Sequence, residues 1–107
     1  MRVEFFSLEQ ASLSAGRQSW AEIDGLWLSI SPVRGRLVLR QGAHSQIVSH
    51  KVRLRYHPQV APGLRFRKGS RVLVIHHVET LDSRQRWQSC LCEEISNITP
   101  QPAKETP

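Results

Sequence analysis

Residues 49–58 read SHKVRLRYHP, and their alternation decides the fold class. Val52, Leu54 and Tyr56 fall on one parity; Lys51, Arg53 and Arg55 fall on the other. Successive side chains of a β-strand point to opposite faces, so this segment builds one apolar face and one cationic face. A row of three cations on a strand face suits nucleic acid, a protein partner or solvent, and the rest of the chain must choose among them.

Strand-like runs recur on both sides. VEFFSLEQ (3–10) reads as a first strand, and SLSAGRQ (12–18) as a turn-rich connection. WAEIDGLWLSISP (20–32) reads as a second strand with a bulge at Gly25 and an end at Pro32. VRGRLVLRQGAHSQ (33–46) is open: a long basic loop, a short helix over Leu37 to Arg40, or a projecting ribbon all fit. IVSHKVRLRYHP (47–58) is the clearest strand, and QVAPGLRF (59–66) carries a Pro-Gly turn signal. RKGS (67–70) reads as a tight turn before RVLVIHHVETL (71–81), and LDSR (81–84) as a turn before QRWQSCLCEEI (85–95). Residues 97–107, NITPQPAKETP, hold three prolines and no apolar cluster, which is the composition of a disordered tail. The expectation is an all-β domain over residues 1–96. It is a small β-barrel or sandwich of five or six mostly antiparallel strands with a long loop at about 33–46, followed by the tail.

The chain has 107 residues, one domain by length. No apolar run approaches the roughly 20 residues that span a bilayer, and none near Met1 resembles a signal peptide, so a soluble protein made in a cytoplasm is expected. Its net charge of +6 is unevenly spread. No acid lies between Asp24 and Glu79, an interval that holds Arg34, Arg36, Arg40, Lys51, Arg53, Arg55, Arg65, Arg67, Lys68 and Arg71 together with all five histidines. Such segregation predicts a surface field of one sign facing something negative.

Four kinds of chemistry are weighed on these residues. A zinc site would need His76, His77, Cys90 and Cys92 to converge, but adjacent histidines on a strand face opposite ways and Cys-x-Cys lacks the usual spacing. The cysteines read instead as reduced, partly buried thiols. No nucleophile elbow or phosphate-cradling glycine loop is present, and Glu93 and Glu94 are neighbours on opposite faces, so neither an enzyme nor a cofactor is expected. Nucleic-acid binding has the cations but lacks interleaved stacking aromatics, because Trp20, Trp27 and Trp87 occupy apolar strand positions that read as core. Self-association in a head-to-tail ring suits a basic belt with acids towards the chain ends.

In order, the features are Trp27, Ile30, Pro32 and Gly35; His50, Val52, Arg55, Tyr56 and Pro58; Gly69, Arg71, Val72 and Ile75; then Leu91, Cys92, Glu93 and Glu94. This ordered set, over roughly residues 18–95, resembles the phage head-tail joining family. These are the head-completion, or stopper, proteins of tailed phages, prophages and gene transfer agents. Members often have a longer N-terminal segment than SLSAGRQ, and a Glu where this chain has Leu37.

The resemblance implies a non-enzymatic connector at the head-tail junction of a virion, synthesised in a bacterial host cytoplasm. It implies a homo-oligomeric ring that closes the DNA channel after packaging, with portal or adaptor proteins above and tail proteins below. Packaged double-stranded DNA is contacted non-specifically, and no membrane is involved. Arg34, Arg36 and Arg40 are the expected channel contacts. Lys51, Arg53 and Arg55 are expected at a subunit interface, facing Glu79, Asp82, Glu93 or Glu94 of a neighbour. The alternative is a small β-barrel nucleic-acid-binding module.

Overall fold

Among the described residues six strands run in chain order: β1 (Val3–Ser14), β2 (Arg17–Gln41), β3 (His44–Arg55), β4 (Arg65–Lys68), β5 (Arg71–Thr80) and β6 (Trp87–Ile95). They form a computed structural model that describes residues 2–41 and 44–95, apart from the side chains of Arg36, Gln41 and His44. The tail expected to be disordered therefore lies outside the described residues.

All neighbours are antiparallel, and the order β1-β2-β3-β6-β5-β4 returns to β1, so the sheet closes as a barrel. Closure leaves the barrel portion without an exposed edge. Its seam is short: β1 meets β4 through only Ser7–Arg67, Leu8–Phe66 and Glu9–Arg65.

Alternation works as expected in β3. Val48, Val52 and Leu54 are buried, while Lys51, Arg53 and Arg55 are exposed. Of these, Val52 and Leu54 join Phe6 and Leu8 of β1, Leu28 of β2, Phe66 of β4, Leu73 and Ile75 of β5, and Cys90 and Cys92 of β6. Val60, in the connection between β3 and β4, also packs into this core. Cys90 and Cys92 are free and buried, and burial pushes the Cys90 thiol up to about 12 and the Cys92 thiol higher still. Such thiols stay protonated and behave as small apolar side chains.

Several boundaries differ from the sequence expectation. The turn-rich 12–18 segment is mostly strand, because Ala15 and Gly16 alone make the turn, at φ 53° and 77°. Two successive positive φ values are what a two-residue hairpin needs. The bulge falls at Ile23, not Gly25: Leu8 pairs with Asp24 and Glu9 with Glu22, leaving Ile23 unmatched. Gly25 has a different reason to be glycine, since an added Cβ would collide with the ring of Phe5.

Pro32 does not end β2. It pairs with His50, and the strand continues to Gln41. Beyond the Val3–Ser29 pair β2 has lost its β1 neighbour, so proline there removes no hydrogen bond on that side.

The expected long loop at 33–46 is a β-ribbon. Leu37 pairs with Val48, Val38 with Ile47, Leu39 with Gln46, and Arg40 with Ser45. At its base, residues 33–36 stand opposite the single residue Ser49, with Gly35 at φ 72°. The helix alternative failed because Leu37-Val38-Leu39 alternates between two ribbon faces instead of following a helical stripe. With the ribbon at one end and the β1–β2 hairpin at the other, the molecule measures 51 × 31 × 30 Å.

Candidate interaction surface

The barrel interior is filled, so any site must lie on its outside. Two groups of charged side chains stand out there among the described residues. On β4 and β5 the cations are met by carboxylates of β1 and β6. Glu9 is only 4% exposed and accepts hydrogen bonds from Arg65 Nε (2.7 Å) and Arg67 Nε (2.8 Å), which clamps the short β1–β4 seam. Burial works to raise the Glu9 pKa, but the hydrogen bonds and charges of Arg67 and Arg65 together hold it below the usual value. The Arg65 guanidinium also lies 3.9 Å from the Trp20 ring centroid.

A second network caps the barrel end from which the ribbon leaves. Glu4 lies 3.3 Å from Lys68 Nζ and 3.6 Å from Arg71. Arg71 donates to Glu94 at 3.0 and 3.2 Å, and His50 Nε2 lies 3.4 Å from the same carboxylate. Acids segregated along the chain are thus brought beside cations by strand pairing. The uniform field expected from the sequence is largely cancelled on this side.

The other set is different. Arg34, Arg40, Lys51, Arg53 and Arg55 are exposed, and none is in an ion pair among the described residues. Arg34 and Arg40 stand on the ribbon half of β2. Arg36 lies between them in sequence, and its side chain is outside the described residues.

Arg53 and Arg55 are outward on β3, and their guanidinium carbons lie 4.9 and 5.2 Å from the Trp87 ring centroid. Register explains this: Arg55 pairs with Trp87 and Arg53 with Ser89, so all three crowd one outer face. On the other side of β3 stand Ser29 and Trp27, and beyond them Val3 and Phe5 of β1. Trp27 is 63% exposed, with Phe5 edge-on at 5.0 Å between centroids. Val3, Trp27, Ser29, Arg53, Arg55 and Trp87 enclose an open cleft of about 410 Å³.

The tryptophans are therefore not core residues. Phe6 and Phe66 fill the interior, and the tryptophans stand on the opposite parity. The parity was available in the sequence: Trp27 precedes inward Leu28, and Trp87 precedes inward Gln88 and Cys90 by odd steps. Reading the three tryptophans as core concealed it. Outward aromatics therefore do stand beside the cations, contrary to the sequence expectation.

The acids expected to meet this row are mostly engaged. Asp82 accepts from the Arg86 side chain (2.9 Å) and backbone N–H (2.8 Å), which lower its pKa. Glu93 holds His76 at 3.0 Å, and Glu94 holds Arg71. Glu79 makes no ion pair among the described residues, but it pairs with Ser89, which also pairs with Arg53. Two strand spacings put Glu79 about 9–10 Å from Arg53 on the same face.

His76 sits at a bulge in β5 and binds Glu93, whereas Cys90 and Cys92 face the interior. The four residues weighed for zinc do not converge. Among the described residues no group of three His, Cys, Asp or Glu side chains is placed to hold a metal, and no helix is long and apolar enough to cross a membrane.

A filled antiparallel barrel with a projecting ribbon and a cationic, aromatic outer face defines a small structural binding domain. Residues 2–95 match the family model described as phage head completion protein, and the chain belongs to that family. The fold is similar to a chain in the solved structure titled "Virion of native gene transfer agent (GTA) particle". The two share 21% identity over 90% of this chain and 98% of that one, with a TM-score of 0.64. No curated protein sequence matches. The family is one of structural virion proteins.

Proposed function

We propose that the protein is a connector at the head-tail junction of a phage-like particle, acting as a homo-oligomeric ring around the DNA channel after packaging. One observation carries the reading: a barrel with a packed core projects a ribbon bearing Arg34 and Arg40 from one end and presents Lys51, Arg53 and Arg55 on the outer face of β3, none of these five in an ion pair among the described residues. In this arrangement Arg34 and Arg40 face packaged DNA; Arg36, expected from the sequence to join them, has its side chain outside the described residues. They would contact phosphates without reading sequence, because guanidinium–phosphate pairing is indifferent to the bases. Lys51, Arg53 and Arg55 face protein within the particle. Pairing of this row with Asp82, Glu93 or Glu94 of a neighbouring copy has lost its appeal, since those carboxylates already have partners in their own chain.

Portal or adaptor proteins would lie on one side of the ring and tail proteins on the other. The test is complementation of a gene deletion, read by electron microscopy and by protection of packaged DNA from nuclease. The deletion should leave heads without tails and DNA exposed to nuclease, and the intact gene should restore both. Tailed, nuclease-resistant particles from the deletion strain would refute the role. Replacing Arg34 and Arg40 by Ala should weaken DNA retention before it affects tail joining.

A nucleic-acid-binding module is the second reading, and the outward tryptophans favour it more than the sequence did. A salt titration with short duplex and single-stranded DNA separates the two. Tight binding by an isolated monomer with a steep salt slope belongs to the module.

A further inference from the structure

We propose that the cleft between Trp27, Arg53, Arg55 and Trp87 docks a carboxylate-bearing apolar segment of a different protein. The proposal rests on the connector reading only in supposing a protein neighbour, and its test needs no assembled particle.

Three observations lead there. First, the cleft floor and near wall are apolar: Trp27 is 63% exposed, Val3 49% and the adjoining Phe5 47%. A contiguous exposed apolar patch with a polar rim is the usual form of a binding surface. Second, the far wall consists of two guanidinium groups laid against Trp87, with no carboxylate bound to either among the described residues. The cation–π contacts hold both guanidinium carbons within about 5 Å of the Trp87 ring, and guanidinium N–H groups suit bidentate pairing with a carboxylate. The complementary ligand therefore joins an apolar anchor to an acid a few ångströms away.

Third, few carboxylates of this chain are free to meet the cleft of a second copy among the described residues. Glu4, Glu9, Asp82 and Glu94 are in ion pairs with Lys or Arg of the chain, and Asp24 and Glu93 are hydrogen-bonded to His57 and His76. Glu79 shares the face of Arg53, so in a head-to-tail contact it would meet the neighbour's opposite surface, not its cleft. Glu22 stands opposite Glu9, on the Arg67 side of the molecule. Most carboxylates among the described residues are thus engaged or share the cleft's own face, Glu105 lies outside those residues, and the acid proposed for the cleft is another protein's.

Nucleic acid fits the cleft less well. Non-specific single-strand binding needs a succession of free aromatic faces. Here both arginines lie over Trp87, and Phe5 stands against Trp27.

The test uses the full chain and reads the three indole N–H signals by NMR. The probes are the capped peptide acetyl-Gly-Asp-Phe-Asp-Gly-amide, its Asn counterpart and an eight-residue oligothymidylate. The acidic peptide should shift the Trp27 and Trp87 signals but not Trp20, and bind at least tenfold tighter than the Asn peptide. Arg53→Gln with Arg55→Gln should abolish that preference while the urea midpoint stays unchanged; Trp27→Ala should weaken both peptides. Equal binding of the two peptides, or no shift at millimolar concentrations, would overturn the proposal. So would oligothymidylate perturbing the same signals at lower concentration than the acidic peptide. Self-association abolished by Trp27→Ala would overturn it in favour of a second copy.

Discussion

Arg65 and Arg67 on β4 and Arg53 and Arg55 on β3 look alike in sequence, each pair being two arginines at i and i+2 around an inward apolar residue. Their surroundings differ. Strand β4 lies beside β1, whose Glu9 is almost fully buried between Arg65 and Arg67. Strand β3 lies between β2 and β6, which offer Ser29, Trp27, Ser89 and Trp87 instead of a carboxylate. One pair therefore holds the barrel closed, and the other is left for a partner. Neighbouring strands, not the arginines themselves, decide which pair is structural.

The contrast can be broken most forcefully at Phe66, the residue between the β4 arginines. Fully buried under the seam, it should cost about 3–5 kcal/mol when changed to Ala. A urea midpoint lowered by roughly 1 M or more would register this.

Glu9→Gln should come next. It leaves Arg65 and Arg67 without a charge partner at a mostly buried site, at about 2–3 kcal/mol in the same assay. Because the folded-state pKa of Glu9 is lowered, the carboxylate stabilises above its unfolded pKa and loses that effect as pH falls through the folded value. The gap between wild type and Glu9→Gln should thus be full at pH 7 and shrink progressively below about pH 4.5. Measuring both midpoints from pH 7 to pH 3 checks the sign.

The smallest effect belongs to the other pair. Arg53→Gln with Arg55→Gln should move stability by no more than about 0.5 kcal/mol per residue, because neither side chain anchors a buried group. A loss comparable to that of Glu9→Gln would show that the β3 arginines are structural after all.

Much of the architecture was legible before any coordinates. The alternation in 49–58 identified the barrel strand and its cationic face, and the turn signals around Gly16 and Gly69 marked two strand connections, the first drawn wider than the two-residue turn that is found. The ribbon was not resolved, because Pro32 and Gly35 look like terminators when the missing β1 neighbour is unknown. Arg34 and Arg40 were identified as exposed cations, but on a strand pair, not a loop.

The cleft was missed for a physical reason. Tryptophan is hydrophobic enough to read as core, and only the parity relative to Leu28 and Cys90 shows that it points outward. Charge distribution misled in a related way: distance along the chain says little when an antiparallel barrel brings Glu4 and Glu94 to the same arginine.

The most direct measurement is the double substitution Arg53→Glu and Arg55→Glu, tested in complementation with purified protein alongside. The account predicts an unchanged urea midpoint and a particle population in which heads fail to join tails. Full yields of normal tailed particles from the double variant would contradict it.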